Sequence, residues 1–294
     1  MSTASTDSTS TGTDYVLTLS CPDRPGIVRA VSGFLAEQEF TVVESRQFGD
    51  QDTGVFFLRI HARSLAGPQD GALLRKRFAP LAAAFAMDWR LHDAAAKLRA
   101  VVMVSKFGHC LNDLLYRVRS GHLPVEIAAV VSNHRDFEEL TAWHDLPFHH
   151  VPVTAQTKPA AEDRLRELVG EYRADLVVLA RYMQVLSDPL CRDLAGRAIN
   201  IHHSLLPSFK GARPYAQAHA RGVKVIGATA HYVTADLDEG PIIEQAYARV
   251  DHGLSPEQLT AVGRDLEAGA LARAVQWHAE HRVLLNGHRT VVFA

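Results

Sequence analysis

Asn200 and His202 stand two residues apart in the run A-I-N-I-H (198–202), whose apolar, β-branched character predicts a strand. Side chains two apart on a strand project from the same face. A neutral amide donor and a titratable imidazole therefore leave the backbone together. A reaction that passes through an oxyanion needs such a pair: a donor where negative charge grows, and a group that moves a proton. The residues that follow, H-S-L-L-P-S-F-K-G-A (203–212), carry the Pro and Gly that end regular structure, so the strand opens into a loop. In open α/β sheets, ligands bind at such carboxyl-end loops. The bland alternative is that a lone strand histidine is a satisfied core residue. D-E-G at 238–240 likewise reads, by itself, as a turn.

A strand with a site at its end needs a sheet around it, and from residue 100 onward the pattern alternates strand and helix. Strands are expected at 100–104, 127–131, 149–153, 176–179, 198–202 and 225–233. Helices are expected near 109–120, 136–144, 159–172, 188–195 and 215–221, and as one long run at 256–281 in which Gly263 and Gly269 are weak points. A hairpin around Asn286-Gly287 fits 284–293. This order predicts an α/β, Rossmann-like domain over 100–294 with a mostly parallel sheet covered on both faces. Ahead of it, 14–93 reads strand, helix, strand, strand, helix, strand (15–20, 27–38, 41–48, 54–62, 73–85, 87–91), the βαββαβ plan of a ferredoxin-like sandwich. An Ala-rich linker spans 94–99, and 1–13, nearly all Ser, Thr, Gly, Ala and Asp, is expected to be a disordered tail.

The 294 residues suffice for two domains, and a formal net charge of −2 gives no electrostatic case for nucleic acid. Cys21, Cys110 and Cys191 are odd in number and widely separated, without a C-x-x-C pair. That pattern suits a reducing cytoplasm and argues against a disulfide framework or a structural zinc site. No signal peptide and no run long enough to cross a membrane is apparent, so a cytoplasmic protein is expected. No metal is expected either. The adjacent pairs His149-His150 and His202-His203 point to opposite faces of a strand, and no H-E-x-x-H spacing occurs.

N-I-H-x-S-L-L-P-x-F-x-G (200–211), followed by H-Y-V-T (231–234) and D-E-G-P-I-I (238–243), resembles the formyltransferases that use 10-formyltetrahydrofolate. The resemblance implies a catalytic trio of Asn200, His202 and Asp238. It also implies a folate pocket from Arg181, Tyr182, Met183, Val185, Leu186 and Thr234, with His231 supporting; at least one of Met183, Val185 and Leu186 would be ordinary core packing. In that family's chemistry, Asn200 would donate to the oxyanion and a protonated His202 would be a second donor. Asp238 would hold the imidazole and the attacking water, with the group that serves as base for the water left open. C-P-D-R-P-G-I-V (21–28) with T-G-V-F-F-L-R (53–59) resembles an ACT domain. That implies either an effector site, commonly for an amino acid, at Asp23, Arg24 and Gly26, or oligomerisation alone.

The first βα turn, S-K-F-G-H-C-L-N-D (105–113), holds a single glycine. It departs from the Gly-Ser-Asn-rich segment with which the glycinamide ribonucleotide transformylases hold a phosphate. K-x-x-H-C-L-x-D-L-L (106–115), His203 where transformylases often have Pro, and G-A-x-P-Y (211–215) are instead similar to the formyltetrahydrofolate deformylases. The implied reaction is hydrolysis of 10-formyltetrahydrofolate to formate and tetrahydrofolate, supplying formate for purine synthesis and balancing one-carbon folate pools. No cofactor beyond the substrate, and a homo-dimer or tetramer, would go with it. Two other functions stay open: formyl transfer to an amine on a nucleotide or aminoacyl-tRNA, and a non-catalytic folate or amino-acid sensor. The single-glycine turn disfavours the nucleotide, the near-neutral charge the tRNA, and the intact trio the sensor.

Overall fold

The computed structural model describes residues 11–207 and 214–294. The chain divides into two units. One runs to Lys97 and includes Glu280–Leu284 and Val291–Ala294; the other holds Leu98–Ala279 and Leu285–Thr290.

In the first unit, β1 (Thr11–Gly12), β2 (Asp14–Pro22), α1 (Ile27–Glu37), β3 (Phe40–Asp50), β4 (Val55–Ser64), β5 (Gln69–Asp70), α2 (Gly71–Ala84) and β6 (Asp88–Asp93) follow in order. Alternation on β2 buries Tyr15, Leu17, Leu19 and Cys21 with Leu58 and Ile60 of β4, Val31 and Leu35 of α1, and Leu74 and Phe78 of α2. The four long strands form an antiparallel sheet in the order β3-β4-β2-β6, the ferredoxin-like arrangement that the sequence predicts. Asp70 caps α2, accepting a hydrogen bond from the Ala72 amide at 2.8 Å.

Two boundaries differ from expectation. The tail does not reach residue 13: β1 pairs antiparallel with β5, and the Ser64 amide donates to the Thr13 carbonyl at 2.7 Å. Backbone pairing needs no apolar side chain, and Gly12 suits it because a Cβ there would meet the Asp93 carboxylate at 2.8 Å. At the other end, not all of 100–294 groups with the second unit. Buried Arg59 of β4 donates to the Glu280 carbonyl at 2.9 Å, and Arg282 pairs with Glu44 of β3 at 3.3 Å. These bonds hold the C-terminal segment within the first unit.

The second unit begins with β7 (Leu98–Val104), α3 (His109–Arg119), β8 (Val125–Ser132), α4 (Glu138–Trp143), β9 (Phe148–His150), α5 (Lys158–Glu171), β10 (Leu176–Leu179), α6 (Asp188–Asp193) and β11 (Ala198–His202). It continues with α7 (Pro214–Arg221), β12 (Val225–Tyr232), β13 (Ile242–Arg249) and α8 (Pro256–Ala279), before a hairpin of β14 (Val283–Asn286) and β15 (Arg289–Val292). The seven-stranded sheet runs β13-β12-β11-β10-β7-β8-β9. Its strands from β9 to β11 are parallel, and β12 and β13 are antiparallel. Val101, Met103, Ala129, Val131, Val177 and Leu179 pack on α5 and α6 on one face, while α8 lies against α3, β11, β12 and β13. Burial on both faces accounts for the near-continuous apolar text of β7, β8 and β10. β13 was not among the expected strands, because its text, I-I-E-Q-A-Y-A-R, carries polar residues at an edge. α8 runs unbroken through Gly263 and Gly269. At Gly263 a Cβ would meet the Tyr215 ring at 2.1 Å, so that glycine makes room for the tyrosine.

Candidate active site

The order of strands leaves β7 in sequence to β8 on one side and to β10 on the other, and the carboxyl ends of β10 and β11 open beside that reversal. A cavity of about 240 Å³ lies there, walled by the loop from Arg181 to Leu186, by Asn200, His202 and His203, by His231, and by Thr234, Leu237 and Asp238. It brings together every substrate and catalytic residue expected from sequence. Asp23, Arg24 and Gly26 belong to the first unit. Ser208 to Ala212 of the signature lie outside the described residues, as do residues 1–10.

Asn200 and His202 leave one face of β11, as period-two geometry requires, and His231 sits opposite Asn200 on antiparallel β12. The polarity of the site follows from one bond. The His231 Nδ1–H donates to the Tyr232 carbonyl at 2.8 Å, which leaves Nε2 as acceptor for the Asn200 amide at 3.2 Å. Burial pushes the His231 imidazole below its ordinary pKa, so it stays neutral and keeps that tautomer. Asn200 thereby has its amide group oriented and one N–H to spare.

The Asp238 Oδ2 lies 3.2 Å from His202 Nδ1, and its Oδ1 3.8 Å from His231 Nε2. The His202 hydrogen bond holds the Asp238 carboxyl below the usual carboxylate range against the opposing effect of burial, so it is ionised and can only accept. His202 Nδ1 must then be the donor. His202 Nε2 is buried and has no hydrogen-bond partner among the described residues. Asp238 itself takes φ 58°, and a Cβ on Gly240 would fall 1.7 Å from the Tyr232 carbonyl. Only glycine lets the D-E-G turn press this closely against the end of β12. The turn signal in the sequence was therefore correct, and it is the device that delivers the carboxylate.

The pocket-wall residues separate into two kinds. Tyr182 and Leu186 belong to the core, Leu186 being 8% exposed. Met183 and Val185, each 53% exposed, are large apolar side chains presented to the cavity. Thr234 turns its hydroxyl to the Asp236 carbonyl at 3.0 Å and so shapes the loop before Asp238. Arg181 lines the cavity, yet its Nε faces Glu267 Oε2 at 3.3 Å.

Glu267 was not singled out from sequence. On α8, 1% exposed, it receives His109 Nε2 at 2.8 Å and the Tyr215 hydroxyl at 2.6 Å besides Arg181. Burial alone would raise its pKa; the hydrogen bonds and the Arg181 charge outweigh that and hold it low. Its signal in sequence was weak: an acidic residue inside an alanine-rich amphipathic run. His109, Cys110 and Glu267 have ligand atoms within 4.8 Å of one another. Both Glu267 oxygens are already engaged, and burial drives the Cys110 thiol strongly upward, keeping it protonated. The set suits a closed hydrogen-bonded cluster better than a cation.

Residues 98–275 match the Formyl transferase family, and residues 15–70 match the ACT domain. The second unit is thus a formyl transferase domain, carried on a chain with an ACT module at its front. A formyltetrahydrofolate deformylase of Corynebacterium sp. (strain P-1) is 54% identical over 95% of this chain and 97% of its own. The crystal structure of a formyltetrahydrofolate deformylase from Burkholderia mallei superposes with a TM-score of 0.92 at 54% identity, covering 96% of this chain and 99% of that one. A glycinamide ribonucleotide transformylase from Symbiobacterium toebii reaches a TM-score of 0.64 at 34% identity, covering 67% of this chain and 95% of that one. The chain belongs to the formyltetrahydrofolate deformylases.

Proposed function

We propose that the protein hydrolyses 10-formyltetrahydrofolate to formate and tetrahydrofolate. The observation that carries the reading is the buried, unpartnered His202 Nε2 on the wall of a cavity it shares with Asn200 and Asp238. Such a nitrogen is costly unless a substrate group meets it.

Water adds to the formyl carbon, the carbonyl electrons move to oxygen, and the spare Asn200 N–H donates to that oxyanion. Asp238 pins the Nδ1–H of His202, as a carboxylate does beside any catalytic imidazole. Nε2 then takes a proton from the attacking water and gives one to the folate nitrogen as the C–N bond breaks. The electron pair leaves with that nitrogen, and the formic acid so formed gives its remaining proton to solvent and departs as formate. The base is then His202 rather than Asp238, whose Oδ2 is already committed to the imidazole. Met183 and Val185 offer the apolar contact a flat heterocycle needs, and the open mouth passes its tail. The formate so released supplies purine synthesis, and the freed tetrahydrofolate returns to the one-carbon pool.

In the ACT module, α1 starts at Gly26 with φ 97° and no side-chain cap, so its amides can meet a small carboxylate such as an amino acid's. Arg24, beside it, donates to the Ala84 carbonyl and stacks over Phe85 at 4.4 Å. The first unit serves regulation or oligomerisation and the second catalysis, in a homo-oligomeric cytoplasmic enzyme.

The direct test incubates the purified protein with 10-formyltetrahydrofolate and no amine, following formate and tetrahydrofolate together. One-to-one release at enzymatic rates is expected. Turnover only on adding a nucleotide amine would mean a transferase, and silence in both assays a sensor.

A further inference from the structure

The cavity wall from Arg181 to Leu186 has no regular secondary structure, although six consecutive residues of it face the cavity. Two buried polar side chains from other elements fasten it. At its start, Ser105, at the end of β7, donates its amide to the Arg181 carbonyl at 3.3 Å. The Ser105 hydroxyl accepts from the Met183 amide at 3.0 Å while donating to Asn133 Oδ1 at 2.7 Å. At its end, Glu162 of α5, nine-tenths buried, accepts the Ser187 amide on Oε1 at 2.8 Å and the Ser187 hydroxyl on Oε2.

Ser187 occupies the N-cap position of α6, yet its hydroxyl does not cap that helix. It is turned outward to Glu162. A carboxylate so deeply buried is tolerated only when its oxygens are hydrogen-bonded, and here both are spent on one residue. Behind the loop, a small cavity is lined by Glu162, Leu165, Tyr182, Val185 and Leu186 among others.

We propose that Glu162 and Ser105 are positioning residues for the substrate. Together they bracket the 181–187 loop and fix the backbone from which Met183 and Val185 stand out into the cavity. The inference rests on the folate reading of that pocket. It predicts an effect on binding rather than on chemistry, because neither residue reaches Asn200 or His202.

The experiment compares full-length wild type with Glu162→Ala, Ser187→Ala, the double variant, Ser105→Ala and Glu162→Gln. Affinity for tetrahydrofolate is measured by calorimetry, with kcat, KM and melting temperature alongside. Losing a buried charged hydrogen-bond pair should raise the tetrahydrofolate Kd of Glu162→Ala about tenfold or more. KM should rise in step, with kcat nearly unchanged. The double variant should be no worse than Glu162→Ala alone, and Glu162→Gln, which keeps one acceptor, should recover most of the loss. Should Glu162→Ala fail to fold, Ser187→Ala and Ser105→Ala carry the test as milder cuts at either end of the loop. A lowered melting temperature with wild-type Kd and KM in the folded variants would overturn the proposal and reduce Glu162 to a helix anchor. A wild type that binds tetrahydrofolate but releases no formate would defeat the hydrolase reading alone, since the bracket is still read from Kd.

Discussion

Two imidazole–carboxylate pairs stand in the formyl transferase domain, and they are built to opposite ends. His109–Glu267 is closed: a 2.8 Å bond, with the Tyr215 hydroxyl on the other carboxylate oxygen and the Arg181 guanidinium held as an ion pair at 3.3 Å, although its Nε makes no hydrogen bond among the described residues. His202–Asp238 is open: a 3.2 Å contact, a carboxylate on a loop at positive φ, and an imidazole nitrogen without a partner among the described residues. The chemical groups are the same. A saturated network in a low-dielectric interior rigidifies, whereas an unsatisfied donor or acceptor is capacity held for something that arrives. What separates the two pairs is the imidazole itself: His109 Nε2 is bonded to its carboxylate, whereas His202 keeps a nitrogen free at the cavity wall.

The comparison breaks most visibly at the open pair. Asn200→Ala and His202→Ala should each lower kcat by about 10²–10³ or more, the usual scale for an oxyanion donor or a positioned acid–base group. Their melting temperatures should stay near wild type, because the open pair stabilises little. Single-turnover formate release checks the first statement and a thermal melt the second. If either variant turned over normally while folded, its residue would have no part in the chemistry.

Glu267→Ala is the mirror image. It strands the Arg181 guanidinium and the Tyr215 hydroxyl in a buried site, and removing one partner of such a pair costs about 3–5 kcal/mol. A urea titration should show that loss in the midpoint. If His202→Ala destabilised the fold as much as Glu267→Ala, the distinction between the pairs would collapse.

Much of the open site was legible from sequence because strand geometry is periodic: N-I-H fixes two side chains on one face of β11. The turn at 238–240 announced itself through its glycine. The closed pair was not legible. Glu267, His109 and Tyr215 come from three separate helices, and nothing local says that their side chains meet. Glu162 and Ser105 were hidden for the same reason. β13 was missed because an edge strand exposes polar residues, as a loop does. Local pattern reveals which face a residue takes; it does not reveal which distant residue shares that face.

The smallest expected effect sharpens the comparison within two adjacent residues. His202 pairs with Asp238, while His203, its ring 4.8 Å away, has Arg181 as its strongest charged neighbour. Burial, with the positive charge of Arg181, pushes the His203 imidazole down to about 4, although Glu267 and Asp238 pull the other way. In the unfolded chain the same group titrates near about 6.5. Between those values the unfolded state holds a proton that the folded state lacks, so stability rises with pH across the window and falls as pH drops through it. His231, also lowered by burial, contributes with the same sign. Asp238 and Glu267 are both held below the ordinary carboxylate range, so their contributions stay intact through most of the window and begin to be lost, with the same sign, only at its acidic edge below about 5. Urea midpoints at several pH values through the window should therefore fall with acidification in the wild type and fall less steeply in His203→Asn. Equal slopes in the two proteins would mean that His203 already carries its proton in the folded state, and that the neighbour of His202 is not held neutral by its surroundings.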